Sequence, residues 1–337
     1  MKYAARRASA PKRITGKGFA VFASGTLLTA SLAAMPDEAC AHGTAGKRFF
    51  PATIATEDPF VADELSIPTF SSFREPASGE EPSARELETS FEFAKRITPN
   101  FGMSIEGAYI TLQPDGLPTQ RGWGNFELGL KYQFYSSAEH EAILSAGLGW
   151  EMGGTGTRRV EADSFSTIEP ALFFGKGFGD MFDDQPLLKP LAVTGSIGIA
   201  FPTKASTTTF AVDEETEEFS AEVERHPNVL NIGLTIEYSL PYLQSFVKDV
   251  GLREPFNRII PLVEISIQNP LNRGQSGQTT GTVNPGFLWA GRQFQFGLEA
   301  IIPINNRTGN QVGVLAQFHL YLDDISPQGL GRPLFGN

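Results

Sequence analysis

Glu127, Lys131, Glu237, Glu264, Gln295, Glu299 and Gln317 each have an apolar residue immediately before and after them. In an extended chain, successive side chains point to opposite faces, so all seven stand on a polar face backed by a greasy one. A row of carboxylates and amides with one ammonium can hydrogen-bond a small solute and repel anions. Such charges can also satisfy one another inside a packed interior. These seven are the candidate lining of an interior passage.

Other residue types offer less chemistry. The four histidines, His42, His140, His226 and His319, fall at a terminus, a turn, a loop and a strand, and none has a ligand or base at motif spacing. Asp180, Asp183 and Asp184 in GDMFDDQP lack the spacing and glycine of a calcium loop, so a solvated turn is the simpler reading. The glycines of GKGFGD precede no helix, which removes a phosphate-loop reading. DEETEE, Asp213 to Glu218, reads as solvated charge. No catalytic, metal or cofactor site is expected.

The elements that position the seven residues are strands. FELGLKYQF puts Phe126, Leu128, Leu130, Tyr132 and Phe134 on one face and Glu127, Gly129, Lys131 and Gln133 on the other. NIGLTIEYSL, FQFGLEA and the stretches at 142–150, 261–268 and 312–322 repeat the pattern. Similar segments fall near 85–97, 99–112, 168–177, 187–202 and 281–290, with a weaker one at 63–73. Lengths of this order exceed the usual strand of about five or six residues and suit a tilted bilayer crossing.

The links between them alternate. TPN, YSSAEHE and Gly291-Arg292 are short, whereas LQPDGLPTQRG, GGTGTRRVEADSFST and 203–227 are long; 241–257 is a long link on the short side, with room for a small helix. Short inner turns with longer outer loops characterise outer-membrane barrels. Tyr109 and Trp150 would end strands at the outer rim, and Phe134, Tyr238 and Trp289 at the inner rim, as aromatic girdles require. The expected fold is all-β: a transmembrane antiparallel up-and-down β-barrel of about twelve strands, within a range of ten to fourteen.

The first 41 residues carry six basic side chains, then GFAVFASGTLLTASLAAM, then Ala39 and Ala41 in small-x-small spacing. They read as a cleaved secretory signal. Its removal would take away Cys40, the single cysteine, and leave 21 basic against 36 acidic residues, a formal charge of −15. That balance argues against nucleic acid as a partner. The remaining divisions are a periplasmic N-terminal segment over 42–60, the barrel over 61–322 and a C-terminal tail over 323–337. Barrel assembly signals end in an aromatic residue, whereas here Phe335 is third from the end.

HGTAGKRFFPATIATEDPFVADELSIP and GWGNFELGLKYQF resemble the outer-membrane proteins named for a meta-pathway of phenol degradation, often labelled simply as transporters. The resemblance spans most of the chain after the signal, and its motifs are structural. The family's Gly-x-Gly-Asp stands here as Gly122-Trp123-Gly124-Asn125, without the acid. It implies a barrel and passage of aromatic or hydrophobic small molecules, and supplies no site residues.

The polar face is also rich in small residues: Gly129, Gly233, Gly297 and Gly313, with Ala192, Ser196, Gly198 and Ala200 on one strand. Small residues leave space, so a narrow water-filled or loop-gated pore in the bacterial outer membrane is expected, passing small neutral or aromatic solutes. Its partners would be outer-membrane lipid, the barrel assembly machinery and the solute. A non-conducting structural or adhesion barrel is the alternative. A membrane-embedded lipid-modifying enzyme would need a Ser, a His and an acid at the lipid face, and no spacing supports one.

Overall fold

A computed structural model describes residues 43–77, 82–212 and 219–336. The expected signal over 1–41, Cys40, His42 and DEETEE lie outside them. Twelve long strands run in chain order: β1 (Glu64–Glu75), β2 (Ala84–Thr98), β3 (Phe101–Pro114), β4 (Glu127–Ser137), β5 (Ala142–Glu151), β6 (Thr167–Gly177), β7 (Leu191–Pro202), β8 (Val229–Tyr238), β9 (Ile259–Pro270), β10 (Thr280–Ala290), β11 (Phe294–Pro303) and β12 (Gly313–Tyr321). Each pairs antiparallel with its sequence neighbours, and β1 pairs with both β2 and β12. The ring is therefore closed. The weakest expected strand, near 63–73, is the one that closes it.

Closure removes every sheet edge, which a bilayer demands because lipid offers no hydrogen bonds to an open strand. The side-chain distribution agrees. Leu130 is 44% exposed, Tyr132 52% and Leu172 56%, whereas Glu264 and Thr235 are fully buried. A water-soluble sandwich would reverse this order. The greasy faces point outward to lipid and the polar faces inward.

The short connections, at 99–100, 138–141 and 291–293, lie at one end, which loop length assigns to the periplasm. The two longer connections there carry short helical turns, Pro186–Leu188 in one and Leu240–Tyr242 with Leu243–Val247 in the other. At the opposite end a hairpin of Ser206–Val212 and Phe219–Arg225 forms its own two-stranded sheet. Phe134 is exposed near the periplasmic rim and Tyr109 and Trp150 near the outer rim, whereas Tyr238 and Trp289, also at periplasmic strand ends, are half-buried and donate to the carbonyls of Leu187 and Pro255.

GWGN interrupts the fourth crossing. Gln120–Trp123 pairs with the outer half of β3, and β4 takes over only from Glu127. In the gap, the Asn125 amide donates to Glu151 at 2.7 Å and to the Asp163 carbonyl, and accepts from the Gly156 N–H at 2.9 Å. Asn125 thus pins the 152–166 loop, which needs an amide able to donate and accept at once.

Leu130 to Arg would place a cation on the lipid face and should destabilise the barrel by about 2–4 kcal/mol in urea titrations from liposomes. On a water-facing surface the same change would cost at most ~0.5 kcal/mol. A cost that small would reverse the assignment of faces.

Candidate functional site: the barrel lumen

The lumen is filled by the chain's own N-terminal segment. Residues 42–60, read from sequence as a periplasmic extension, lie over their described part inside the barrel. The reason is compositional. Phe50, Ala52, Ile54 and Phe60 are buried, with Phe50 and Ala52 packing against Ile143 and Ala192 of the wall and Ile54 against Ile260, Leu262 and Leu288. Residues this apolar gain by leaving water.

The segment enters through a tight hairpin, Thr44–Ala45 against Arg48–Phe49. Gly46 at its turn has φ +63°, and an added Cβ would strike the Ala138 carbonyl, so only glycine fits. Beyond the hairpin the chain runs irregularly through the lumen, leaving backbone N–H and C=O groups that must find partners.

The wall supplies them. Glu264 of β9 accepts the backbone N–H groups of Ile54, Ala55 and Thr56 at 2.8, 2.8 and 2.6 Å, and the Thr56 hydroxyl at 2.9 Å. Three consecutive N–H groups converging on one carboxylate form an anion-binding concavity. Thr56 and Thr235 of β8 share a hydroxyl–hydroxyl bond of 2.7 Å. Gln295 of β11 donates to the Ala52 carbonyl at 2.6 Å and itself accepts from the Tyr321 hydroxyl. Lys131 of β4 donates to the Asp58 carbonyl at 2.9 Å and stands 3.5 Å from the Asp58 and 3.6 Å from the Glu57 carboxylates. Ser145 donates to the Pro59 carbonyl.

Two clamps at the periplasmic end hold the segment's ends. Arg48 is fully buried; it pairs with Glu141 at 3.1 Å, donates to the carbonyls of Lys189 and Pro190, and lies 3.9 Å over the Tyr242 ring. Glu141 also accepts the Tyr242 hydroxyl at 2.8 Å and the Gly179 N–H at 3.0 Å. Burial, then the bond to Glu141, pushes the Tyr242 hydroxyl up to about 12, so it stays a donor at neutral pH. At the other end Asp63 pairs with Lys95 and Arg96, each at 2.7 Å. The same two cations hold the tail by the carbonyls of Leu330, Gly331 and Arg332, while Phe335 donates its N–H to Ile97.

Of the seven candidate residues, Lys131, Glu264 and Gln295 touch the plug directly. Glu237 and Glu299 are buried on the same inner wall, Gln317 donates to Thr69 at 3.2 Å, and Glu127 faces inward against Gly149. For Lys131, Glu264 and Gln295, then, the polar row is satisfied largely by the plug rather than by its own members. Of the small residues expected to leave water-filled space, Gly297, Gly233 and Ala192 are where the plug packs, whereas Gly129, Gly198 and Gly313 face side chains of the wall itself; Gly175 and Gly102, outside that expectation, also meet the plug. An added Cβ on Gly297 would meet Ile54 at 2.3 Å, on Gly175 Pro59 at 2.9 Å and on Gly102 Val61 at 2.7 Å.

The structure also gathers a Ser, a His and an acid. Ser66 is 2.9 Å from His319 Nδ1, and His319 Nε2 is 3.3 Å from Glu64. The three line the lumen side of β1 and β12 and not the lipid face. With His319 only 1% exposed and Ser66 6%, an acyl carbon has no approach to the hydroxyl. Asp180 is engaged by Lys176 and His140, and Asp183 by Lys189.

No family model and no curated protein matches the chain. Among solved structures it is similar to an outer-membrane channel from Pseudomonas putida F1, at 10% identity over 77% of this chain and 95% of that one, with a TM-score of 0.48. It is also similar to the Ralstonia pickettii toluene transporter TbuX (10% identity, 84% and 97% covered, TM-score 0.41) and to the NanC porin (9%, 75% and 98%, 0.40). Likenesses this distant add nothing to the barrel that the strand pairing already gives. The phenol meta-pathway resemblance rests on the quoted residues alone.

Arg48, Glu141 and Asp63 escaped the sequence reading, because a clamp between residues 93 positions apart leaves no local pattern. The one available signal was that 49–60 is too apolar for a free linker.

Glu264→Ala would leave the N–H groups of Ile54, Ala55 and Thr56 without their acceptor, a loss of roughly 2–5 kcal/mol in docking of the plug. Hydrogen exchange should show the amides of residues 54–56 protected in the parent and accelerated on the order of 30-fold or more in the variant, since each 1.4 kcal/mol is tenfold. Unchanged exchange would mean the carboxylate does not hold the plug.

Proposed function

We propose that this protein is a gated outer-membrane pore for small neutral or aromatic and hydrophobic solutes, with the 43–63 segment as its gate. One observation supports the reading above others. The lumen is filled largely by a length of chain that is not part of the wall, rather than by the wall's own side chains alone. Where side chains fill a barrel, no displacement opens it; where a segment does, its departure leaves a channel lined by Gly, Ser, Thr, Gln and Glu. The inner-face carboxylates Glu127, Glu237, Glu264 and Glu299 disfavour anions in that channel.

The same filling favours a second reading, a non-conducting structural barrel with a permanent plug. The two differ in what removal of the plug does.

Liposome swelling with uncharged, cationic and anionic solutes of matched size separates them. The full chain should admit the neutral solute slowly. A variant lacking 43–60, confirmed as folded by its heat-modifiable gel mobility, should admit it far faster and the anion least. A folded deletion variant as impermeable as empty liposomes would leave the structural reading standing.

A further inference from the structure

Above the plug, toward the outer end, lies a cavity of about 70 Å³. Its walls divide by chemistry. Ser266 and Gln268 of β9 with Thr280, Thr282 and Asn284 of β10 form a hydrogen-bonding sector. Phe73 of β1, Ile301 of β11 and Leu315 of β12 form an apolar one, edged by Ser71 of β1 and Thr308 of the loop between β11 and β12. Strand order makes the two sectors adjacent arcs of the wall, because β9 and β10 neighbour each other and β11, β12 and β1 follow.

The floor is Ile54 and Ala55 of the plug, the pair whose N–H groups Glu264 holds. Ser266 and Gln268 stand two and four residues beyond Glu264 on the same face of β9, so cavity and latch share one strand. Among the described residues no basic side chain lines the space, and Glu86 contributes an acid.

We propose that this cavity is a binding site for a small neutral amphiphile, its polar group on the β9–β10 sector and its hydrocarbon body on the β11–β12–β1 sector. The proposal rests on the pore reading and names where a solute stops before the gate. Room for roughly five water-sized spheres matches a molecule of about six heavy atoms. A site whose buried hydroxyls and amides expect a partner rejects an analogue lacking one. The acid and the carboxylate beneath the floor turn an anion away.

Saturation-transfer NMR titrations on the full chain in detergent test this with three probes of six heavy atoms each: cyclopentanol, methylcyclopentane and cyclopropanecarboxylate. Two variants, Gln268→Leu and Thr282→Phe, correct for partition into micelles. The first removes a polar group at similar volume, and the second fills the cavity. Cyclopentanol should bind at least about tenfold more tightly than methylcyclopentane, and both variants should weaken it by a similar factor. The carboxylate should show no saturable binding. Equal cyclopentanol affinity in the parent and in whichever variants fold would overturn the site, as would a carboxylate bound as well as the alcohol. Selective alcohol binding alongside an impermeable plug-deleted barrel would keep the site and discard the pore.

Discussion

A bilayer gives backbone amides nothing to bond to, and every feature of this protein follows from meeting that condition twice. The first time is around the wall. β1 must pair on both sides, with β2 and with β12, or two strand edges would face hydrocarbon. β1 achieves this despite a register shift between Ser66 and Thr69, matched by one between Gln317 and His319 on β12. Adjustment of the ladder at that seam keeps the ring closed where the weakest strand sequence falls.

The second time is inside. A wall carrying the fully buried Glu264 is unfavourable unless donors reach it, because an isolated buried carboxylate is costly. An irregular segment has the opposite problem, spare N–H groups without a ladder. Each deficiency satisfies the other. At Glu264 three backbone donors meet one carboxylate, and at Lys131 one cation meets the Asp58 carbonyl and the nearby carboxylates of the segment. Regular secondary structure in the plug would have bonded those N–H groups internally and left the wall acid unpartnered.

The wall was legible in the sequence because its physics is local. Period-two alternation marks each strand, and a residue such as Lys131 declares its face by its neighbours Leu130 and Tyr132. The lumen contents were not legible, because they are set by partners far away in the chain. Nothing near Glu264 signals that its donors come from residues 54–56, and nothing near Arg48 signals Glu141. Glycines at 175 and 297 could be placed inward by parity, yet whether the space they leave holds water or chain depends on a segment without periodicity. Asn125 shows the same limit. Its motif was visible, but its task of joining β5 to an outer loop needed the fold.

The placement of the clamps bears on how a plug could move without leaving. Arg48 and Asp63 are fixed by partners in periplasmic connections or strand ends: Glu141, Lys189 and Pro190 for one, Lys95 and Arg96 for the other. The contacts that reach deepest, at Ile54 to Thr56, lie midway between them. The intervening chain is therefore a loop tethered at both ends on the periplasmic side with its tip on Glu264. Under the proposed gating, breaking the tip contacts together with those of Gln295 to Ala52, Lys131 to Asp58 and Ser145 to Pro59 would free the loop to fold back while both ion-pair clamps persist. Because the ends stay held, the entropy cost of returning is that of closing a short loop, which grows only slowly with length, and not that of recapturing a free terminus. Buried clamps at the base and a set of hydrogen bonds centred on Glu264 within the lumen are an arrangement consistent with the proposed gate.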